Sequence, residues 1–216
     1  MISIAITVCN EHQELKTLLD YLQERALSPD YEIVVQIDQD NHTDDVLGVI
    51  INRGIKHWFF PLNKDFASYK NELAKHCSGE YIFQIDADEI PAVELLDMLP
   101  SILESNPEVD VYLVPRINTV SGITEEHILK WGWRYENERV NFPDYQWRIY
   151  RNDKRITWIN KVHEVLSEYA TVAELPADPE YAPAKLFSRY TPMLPGPPVL
   201  YPSTLIVCDP AVSDIT

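Results

Sequence analysis

Tyr81-Ile82-Phe83-Gln84-Ile85-Asp86-Ala87-Asp88-Glu89 is the stretch whose reading decides the rest of the chain. Its first half is β-branched and aromatic, the pattern of a buried strand. Its second half sets three carboxylates in four positions. In an extended strand alternate side chains share a face, so Asp86 and Asp88 are expected to project together where the apolar run stops. Two carboxylates at that spacing repel unless a positive charge lies between them. Hard divalent cations of the Mg²⁺ type suit this arrangement, since they take one or two carboxylates and complete their shell with phosphate oxygens. The alternative is a solvated acidic turn with no ligand.

Upstream, residues 2–8 read as a strand. Asn10 followed by Gln13 is a capping pattern for a helix from Glu11 to about residue 26, with Leu15, Leu18, Leu19 and Leu22 on one face. Tyr31–Ile37 is a second strand running into the acidic segment Asp38–Asp45. A short helix is expected over 45–52, a strand over 55–60, and a helix from Asp65 to Cys77 that stops at Gly79. Four alternations of strand and helix imply an α/β fold with a mostly parallel sheet and helices on both faces. In such sheets ligands bind beyond the carboxyl ends of the strands. Asn10, Asp38, Asp40, Asn63, Lys64 and Asp86–Glu89 all belong to those ends.

Downstream, Pro91 opens a helix to about Glu104 with Leu95, Leu96, Leu99 and Leu103 inward. A long strand over 109–120 carries Arg116 and Asn118. Residues 121–145 look irregular and aromatic, and Trp131, Trp133, Tyr135, Phe142 and Tyr145 suit either core packing or the wall of a binding site. Gln146–Tyr150 and Ile156–Ile159 resemble a hairpin turning at Asn152-Asp153. Arg148 and Arg151 suit either an anionic ligand or neighbouring acids. Nine of the 16 prolines lie between 176 and 216, so a folded region over 1–175 and an extended tail over 176–216 are expected.

The net charge of −16 is poorly suited to a nucleic-acid backbone or an anionic membrane. No apolar run is long enough for a membrane helix, and the N-terminus reads as a first strand. Cys9, Cys77 and Cys208 lack metal-ligand spacing and an even count, which favours reduced thiols and a cytoplasmic setting. None of the six glycines falls in a GxGxxG or a P-loop. Asp38-x-Asp40-x-His42 begins like a calcium loop, but Thr43 and Val49 stand where Gly and Glu are needed. There is no HExxH and no GxSxG.

Four segments in order resemble family-2 glycosyltransferases of the GT-A fold: Thr7-Val8-Cys9-Asn10-Glu11, Ile37-Asp38-Gln39-Asp40-Asn41-His42-Thr43-Asp44, Asn63–Asn71 and Asp86-Ala87-Asp88-Glu89. Asn-His replaces the more usual Gly-Ser, Asp65 a Gly, and Lys70 an Arg. Pro115-Arg116, Arg148–Arg151 and Val162-His163-Glu164 are similar to the branch that includes bacterial lipopolysaccharide-core glucosyltransferases. The resemblance covers about 1–166. It implies transfer of a sugar from a nucleoside diphosphate, UDP by family default, to an acceptor hydroxyl, with Mn²⁺ or Mg²⁺ easing the departure of the diphosphate. It places Val8, Asn10, Glu11, Asp38, Asp40, Lys70, Asp86 and Ala87 at the nucleotide-sugar. Asp86 and Asp88 would hold the metal, with His163 as a further partner. Glu164 would be the general base, and Glu89 is its competitor. A surface glycan is the implied acceptor. Two other classes stay open: a non-catalytic nucleotide-sugar or glycan-binding module, and a sugar nucleotidyltransferase, against which the missing Gly-rich loop counts.

Overall fold

The structure, a computed structural model, describes residues 1–24, 29–120, 122–179 and 182–185. In chain order its elements are β1 (Ile2–Val8), α1 (His12–Glu24), β2 (Tyr31–Asp38), α2 (Asp44–Ile51), β3 (Lys56–Phe60), α3 (Phe66–Ala74), β4 (Tyr81–Asp86), β5 (Glu89–Ile90), α4 (Val93–Ser105), β6 (Val111–Asn118), α5 (Glu125–Trp131), β7 (Tyr135–Glu136), β8 (Arg139–Arg151), β9 (Thr157–Ile159), β10 (Val165–Ser167), β11 (Val172–Glu174) and β12 (Ala184–Lys185). The α/β, GT-A-like architecture with a mixed, mostly parallel sheet is as expected. The chain divides into two compact units: among the described residues, one is built from Met1–Ala87 and Tyr150–Tyr169, the other from Asp88–Ile149 and the described residues between Ala170 and Lys185.

In the first unit the strands lie in the order β3-β2-β1-β4 and all are parallel. All seven residues of β1 and all six of β4 are buried. That explains their near-continuous apolar reading, because a parallel sheet is covered on both faces. The leucines of α1 fall on one face and are fully buried. Chain order runs outward from β1 through β2 to β3 and then jumps to β4 on the other side. The sheet therefore has a switch point between β1 and β4, where the loops leaving adjacent strands part and open a crevice. Register sets Val8 beside Ile37 and Thr7 beside Asp86 there.

Gly79 does not end a helix. α3 stops at Ala74 with Lys75 as its C-cap, still in the right-handed region. A Cβ on Gly79 would lie 2.6 Å from the Ser3 backbone nitrogen, and its own N–H donates to Ser3 Oγ at 2.8 Å. Glycine is required by this close approach to β1 and not by a turn. The expected hairpin of 146–150 with 156–159 is also absent: the strand partner of β9 is β10, antiparallel. Asn152 instead spends its side chain on the Cys77 and Gly79 carbonyls and its N–H on Glu80 O. The outer edge of Trp158 is filled by the Asn71 amide, which donates to its carbonyl and accepts from its N–H, both at 2.8 Å.

In the second unit the order is β8-β6-β12-β5, with β11 parallel to β6 and β7 antiparallel to β8. α4 buries Leu95, Leu96, Leu99 and Leu103 as the periodicity required. The region expected to be irregular is ordered. Thr124 and His127 form a capping box that starts α5, and Gly132, at φ +64°, ends it. Asn137 and Glu138 both take positive φ, joining β7 to a 13-residue β8 by the kind of tight turn that matches strand twist. The expected tail begins within the fold, since β12 pairs with β5 and β6. Residues from 186 onward, including Cys208, and the expected end of α1 at 25–26 lie outside the described residues. Among the described residues no helix is long and apolar enough to cross a membrane. Cys77 keeps a free, buried thiol, which burial pushes up to about 12.

Candidate active site

The rim of the first unit gathers the loops that leave β1, β2 and β4. Asp38, the last residue of β2, is 1% exposed. Its Oδ1 accepts the backbone N–H groups of Asp40 and Leu62, both at 3.2 Å, and its Oδ2 accepts Asn41 Nδ2 at 2.9 Å. A buried carboxylate spent on three donors is an organiser of its loop. The neighbouring Asp40 is exposed. Glu11 has a similar task. Its Oε2 accepts the N–H groups of Cys9 and Asn10 at 2.9 and 3.1 Å and so ties down the loop after β1. Burial pushes the Glu11 carboxyl up, and those backbone hydrogen bonds only partly offset it. Asn10 is exposed.

Val8 is 1% exposed, and its carbonyl faces the Tyr69 hydroxyl at 3.3 Å, with Gln36 O as the other acceptor at 3.1 Å. Tyr69 returns the contact through its own carbonyl, which accepts Gln36 Nε2 at 2.5 Å. Burial drives the Tyr69 hydroxyl far above its ordinary value, and the negative charges of Asp38 and Glu11 add to this. Ahead of α3, Asn63 and Lys64 take positive φ of 49° and 56°. Asp65 is the N-cap, accepting Ser68 N at 3.0 Å, at φ −125°. The Asp found where Gly is more usual therefore needs no glycine conformation and caps the helix.

Asp86 closes β4, 3% exposed, with the Thr7 hydroxyl 3.4 Å from its Oδ1 across the switch point. Ala87 is fully buried. The strand stops at Asp86 and residues 87–88 form a turn, so strand alternation does not extend to Asp88, as the sequence had suggested. Asp88 is half-buried and His163 exposed, the latter at φ +57°. Among the described residues no group of three or more His, Cys, Asp and Glu side chains is placed to hold a metal ion. The chemistry of the donors still fits one kind of cation. Carboxylate oxygens that supply only part of a shell suit Mg²⁺ or Mn²⁺ completed by phosphate and water.

Lys70 and Glu164 meet inside the first unit. Nζ lies 2.5 Å from Glu164 Oε1, with the two side chains 3% and 1% exposed. Lys70, expected at the nucleotide-sugar, lies in the interior against Glu164. Glu89, the competing base, is 0% exposed in the second unit and accepts Arg148 Nη2 at 2.5 Å, with Arg116 Nη1 at 3.6 Å. Arg116 also donates through Nε to Asp144 Oδ2 at 3.0 Å, which Asn118 shares at 2.9 Å, while Gln146 donates to Oδ1 at 2.8 Å. Arg148 is thus paired with an acid, and Arg151 joins Glu80 and the Tyr81 hydroxyl. Asp144 is absent from the sequence expectations, although the spacings 116/118 and 144/146/148 each place polar groups on one strand face. His127 stacks on Trp131 at 4.8 Å between ring centroids, and Trp133 meets Trp131 at 4.7 Å with the rings tilted by 45°. α5, which carries His127 and Trp131, buries no residue, so those two rings are not core.

Comparison with known proteins adds to this geometry. No curated protein matches the chain. Among solved structures, TarS from S. aureus shares 18% identity over 87% of this chain and 37% of its own, at a TM-score of 0.61. The 1–349 portion of TarS in complex with UDP-GlcNAc shares 16% over 87% of this chain and 59% of its own, at 0.60. A weaker likeness, 17% identity over 60% of this chain and 46% of the other at a TM-score of 0.44, is to glucosyl-3-phosphoglycerate synthase from Mycobacterium tuberculosis, solved with Mn²⁺, UDP-glucose and phosphoglyceric acid. The chain spans less than two thirds of each of these, and identities this low speak to fold alone. The family described as glycosyl transferase family 2 matches residues 3–164. That match spans all four segments quoted from the sequence and every element from β1 to β9, and the chain belongs to glycosyl transferase family 2.

Proposed function

We propose that the protein transfers a sugar from a nucleoside-diphosphate-sugar to an acceptor hydroxyl with inversion at the anomeric carbon. The observation that carries this is the alignment of the β1, β2 and β4 ends in one register, which brings Asp86 to the switch point beside Thr7. Asn10 and Asp40 are the exposed groups that meet the nucleoside, held in place by Glu11 and Asp38. Val8 and Ala87 shape the floor without offering a side chain. Asp86 and Asp88 would hold Mg²⁺ or Mn²⁺, with His163 as a further candidate, and the cation would draw charge from the leaving diphosphate. Glu164 is the base, acting through Oε2. It takes the acceptor's proton as the acceptor oxygen bonds to the anomeric carbon and the bond to the diphosphate breaks on the opposite face. The resemblance to the lipopolysaccharide-core branch supports a surface glycan as acceptor and UDP as carrier.

A second reading, a nucleotide-sugar-binding module without turnover, is favoured by one observation: Glu164 and Glu89 are both buried in ion pairs. Thermal shift with UDP-glucose, UDP-GlcNAc and GDP-mannose, each with MnCl₂, tests both. A donor at 100 times its dissociation constant adds about 2.7 kcal/mol, or roughly 5–11 °C for a chain this long. Release of nucleoside diphosphate from that donor, lost in Asp88→Ala, identifies the enzyme. A shift without release identifies the module, and no shift with any donor refutes both.

A further inference from the structure

Lys70, Asn71 and Phe66 tie α3 to the segment 157–164 at three points. Asn71 grips the backbone of Trp158. The Phe66 N–H donates to Lys161 O at 3.0 Å. The Lys70 ammonium sits 4.6 Å from the centre of the Trp158 ring and reaches Glu164 Oε1. Trp158 is held in turn by its indole N–H, which donates to the Tyr150 hydroxyl at 3.2 Å. The position of Nζ is therefore set by an aromatic floor that is clamped on two sides, and an ammonium over an indole face is favourably placed.

The two oxygens of Glu164 are not equivalent. Oε1 is committed to Lys70, whereas Oε2 is buried with no hydrogen-bond partner. Leaving a buried acceptor without a partner costs on the order of 1–3 kcal/mol, and here that acceptor belongs to a carboxylate whose other oxygen is fixed by an ammonium. An oxygen held out of bonding in this way is what proton transfer from an acceptor requires. We propose that Lys70 is a positioning residue, fixing Glu164 by Oε1 so that Oε2 is the atom that receives the acceptor's proton. The inference rests on Glu164 being the base.

The test follows release of nucleoside diphosphate to water from UDP-glucose, UDP-GlcNAc and GDP-mannose with MnCl₂ in Lys70→Met, Lys70→Arg and Glu164→Gln. Lys70→Met is expected to lower kcat by about 10–100-fold, part of the 10²–10⁴ that a base supplies, with donor KM within about threefold of wild type. Millimolar methylammonium restores turnover to Lys70→Met, and Lys70→Arg keeps more activity than Lys70→Met. Where Lys70→Met does not fold, Lys70→Arg and the double variant Lys70→Met/Glu164→Gln, which leaves no unpaired charge, carry the comparison. The double variant is then expected to be no slower than Glu164→Gln. Wild-type turnover in Glu164→Gln removes the base itself. An inactive Glu164→Gln beside an unimpaired Lys70→Met, or a Lys70→Met deficit that appears in KM and ignores methylammonium, overturns the role of Lys70 while leaving the base in place. Absence of turnover by the wild type with all three donors overturns the activity on which both depend.

Discussion

Replacing Asp38 by Ala removes one carboxylate and strands three donors of unequal cost. The Leu62 N–H is the buried one, and leaving it unmade costs about 1–3 kcal/mol. The Asp40 N–H and the Asn41 amide belong to exposed residues and can recruit water, so each loses only the net value of its bond, about 0.5–1 kcal/mol. The sum is about 3 kcal/mol, or a fall in Tm of roughly 6–12 °C for a chain this long. Asp38→Asn separates geometry from charge. Its amide oxygen still accepts from Asp40 and Leu62, and its NH₂ meets the Asn41 amide, which relieves the clash by turning over. That variant is expected to lose about 1 kcal/mol. Urea denaturation gives the stabilities, and titration with the donor found by thermal shift gives the affinities. Asp38→Ala weakens donor binding because Asp40 loses its support, whereas Asp38→Asn largely keeps it. Equal losses in the two variants, or an Asp38→Ala protein that melts within about 1 °C of wild type, would refute the idea that Asp38 organises the loop.

Gly79→Ala places a methyl 2.6 Å from the Ser3 nitrogen, and since backbone must yield, a loss of about 1–3 kcal/mol is expected; an unchanged urea midpoint argues against the close approach. Glu32 offers a pH test. Burial pushes its carboxyl up, but hydrogen bonds from the Ser3 hydroxyl, the Ser78 N–H and hydroxyl, and Lys56 outweigh that and hold it at about 2, against an ordinary 4.5. Because the folded value lies below the unfolded one, the stabilisation is complete above pH 4.5 and is lost as pH falls toward 2. After discounting for solvent screening it amounts to about 1–2 kcal/mol. In Glu32→Gln the slope of stability across that window becomes shallower, and an identical slope would show that Glu32 does not set it. Arg148→Met removes the 2.5 Å partner of buried Glu89 and leaves it Arg116 at 3.6 Å, so a loss of about 1–3 kcal/mol is expected, below the value for a fully unpaired buried charge. Arg148→Met/Glu89→Gln recovers much of this, and failure to recover would assign the loss to packing.

The strands and helices of the first unit are legible in the chain because their signals are local. The apolar runs of β1 and β4 and the leucine spacing of α1 follow from periods of 2 and 3.6, which each segment carries by itself. A parallel sheet then sends every carboxyl end to one rim, so Asn10, Asp40 and Asp86 are assigned to a ligand before any distance is known. Local reading fails where a segment's partner is remote. The 156–159 strand looks like half of a hairpin, yet its free edge is filled by Asn71, 87 residues away. Gly79 reads as a helix stop, yet its lack of a side chain serves Ser3, 76 residues away.

Charged groups show the same division more sharply. Residue type and spacing mark Lys70, Glu89, Arg116, Arg148 and Glu164 as candidates for a site, since such side chains are seldom buried without a partner. Which cation meets which carboxylate is decided by long-range contact: Lys70 joins Glu164 across 94 positions, and Arg148 joins Glu89 across 59. The penalty for burying a lone charge forces some pairing, but only the folded backbone selects the pair. It also determines which oxygen of Glu164 is left without a bond.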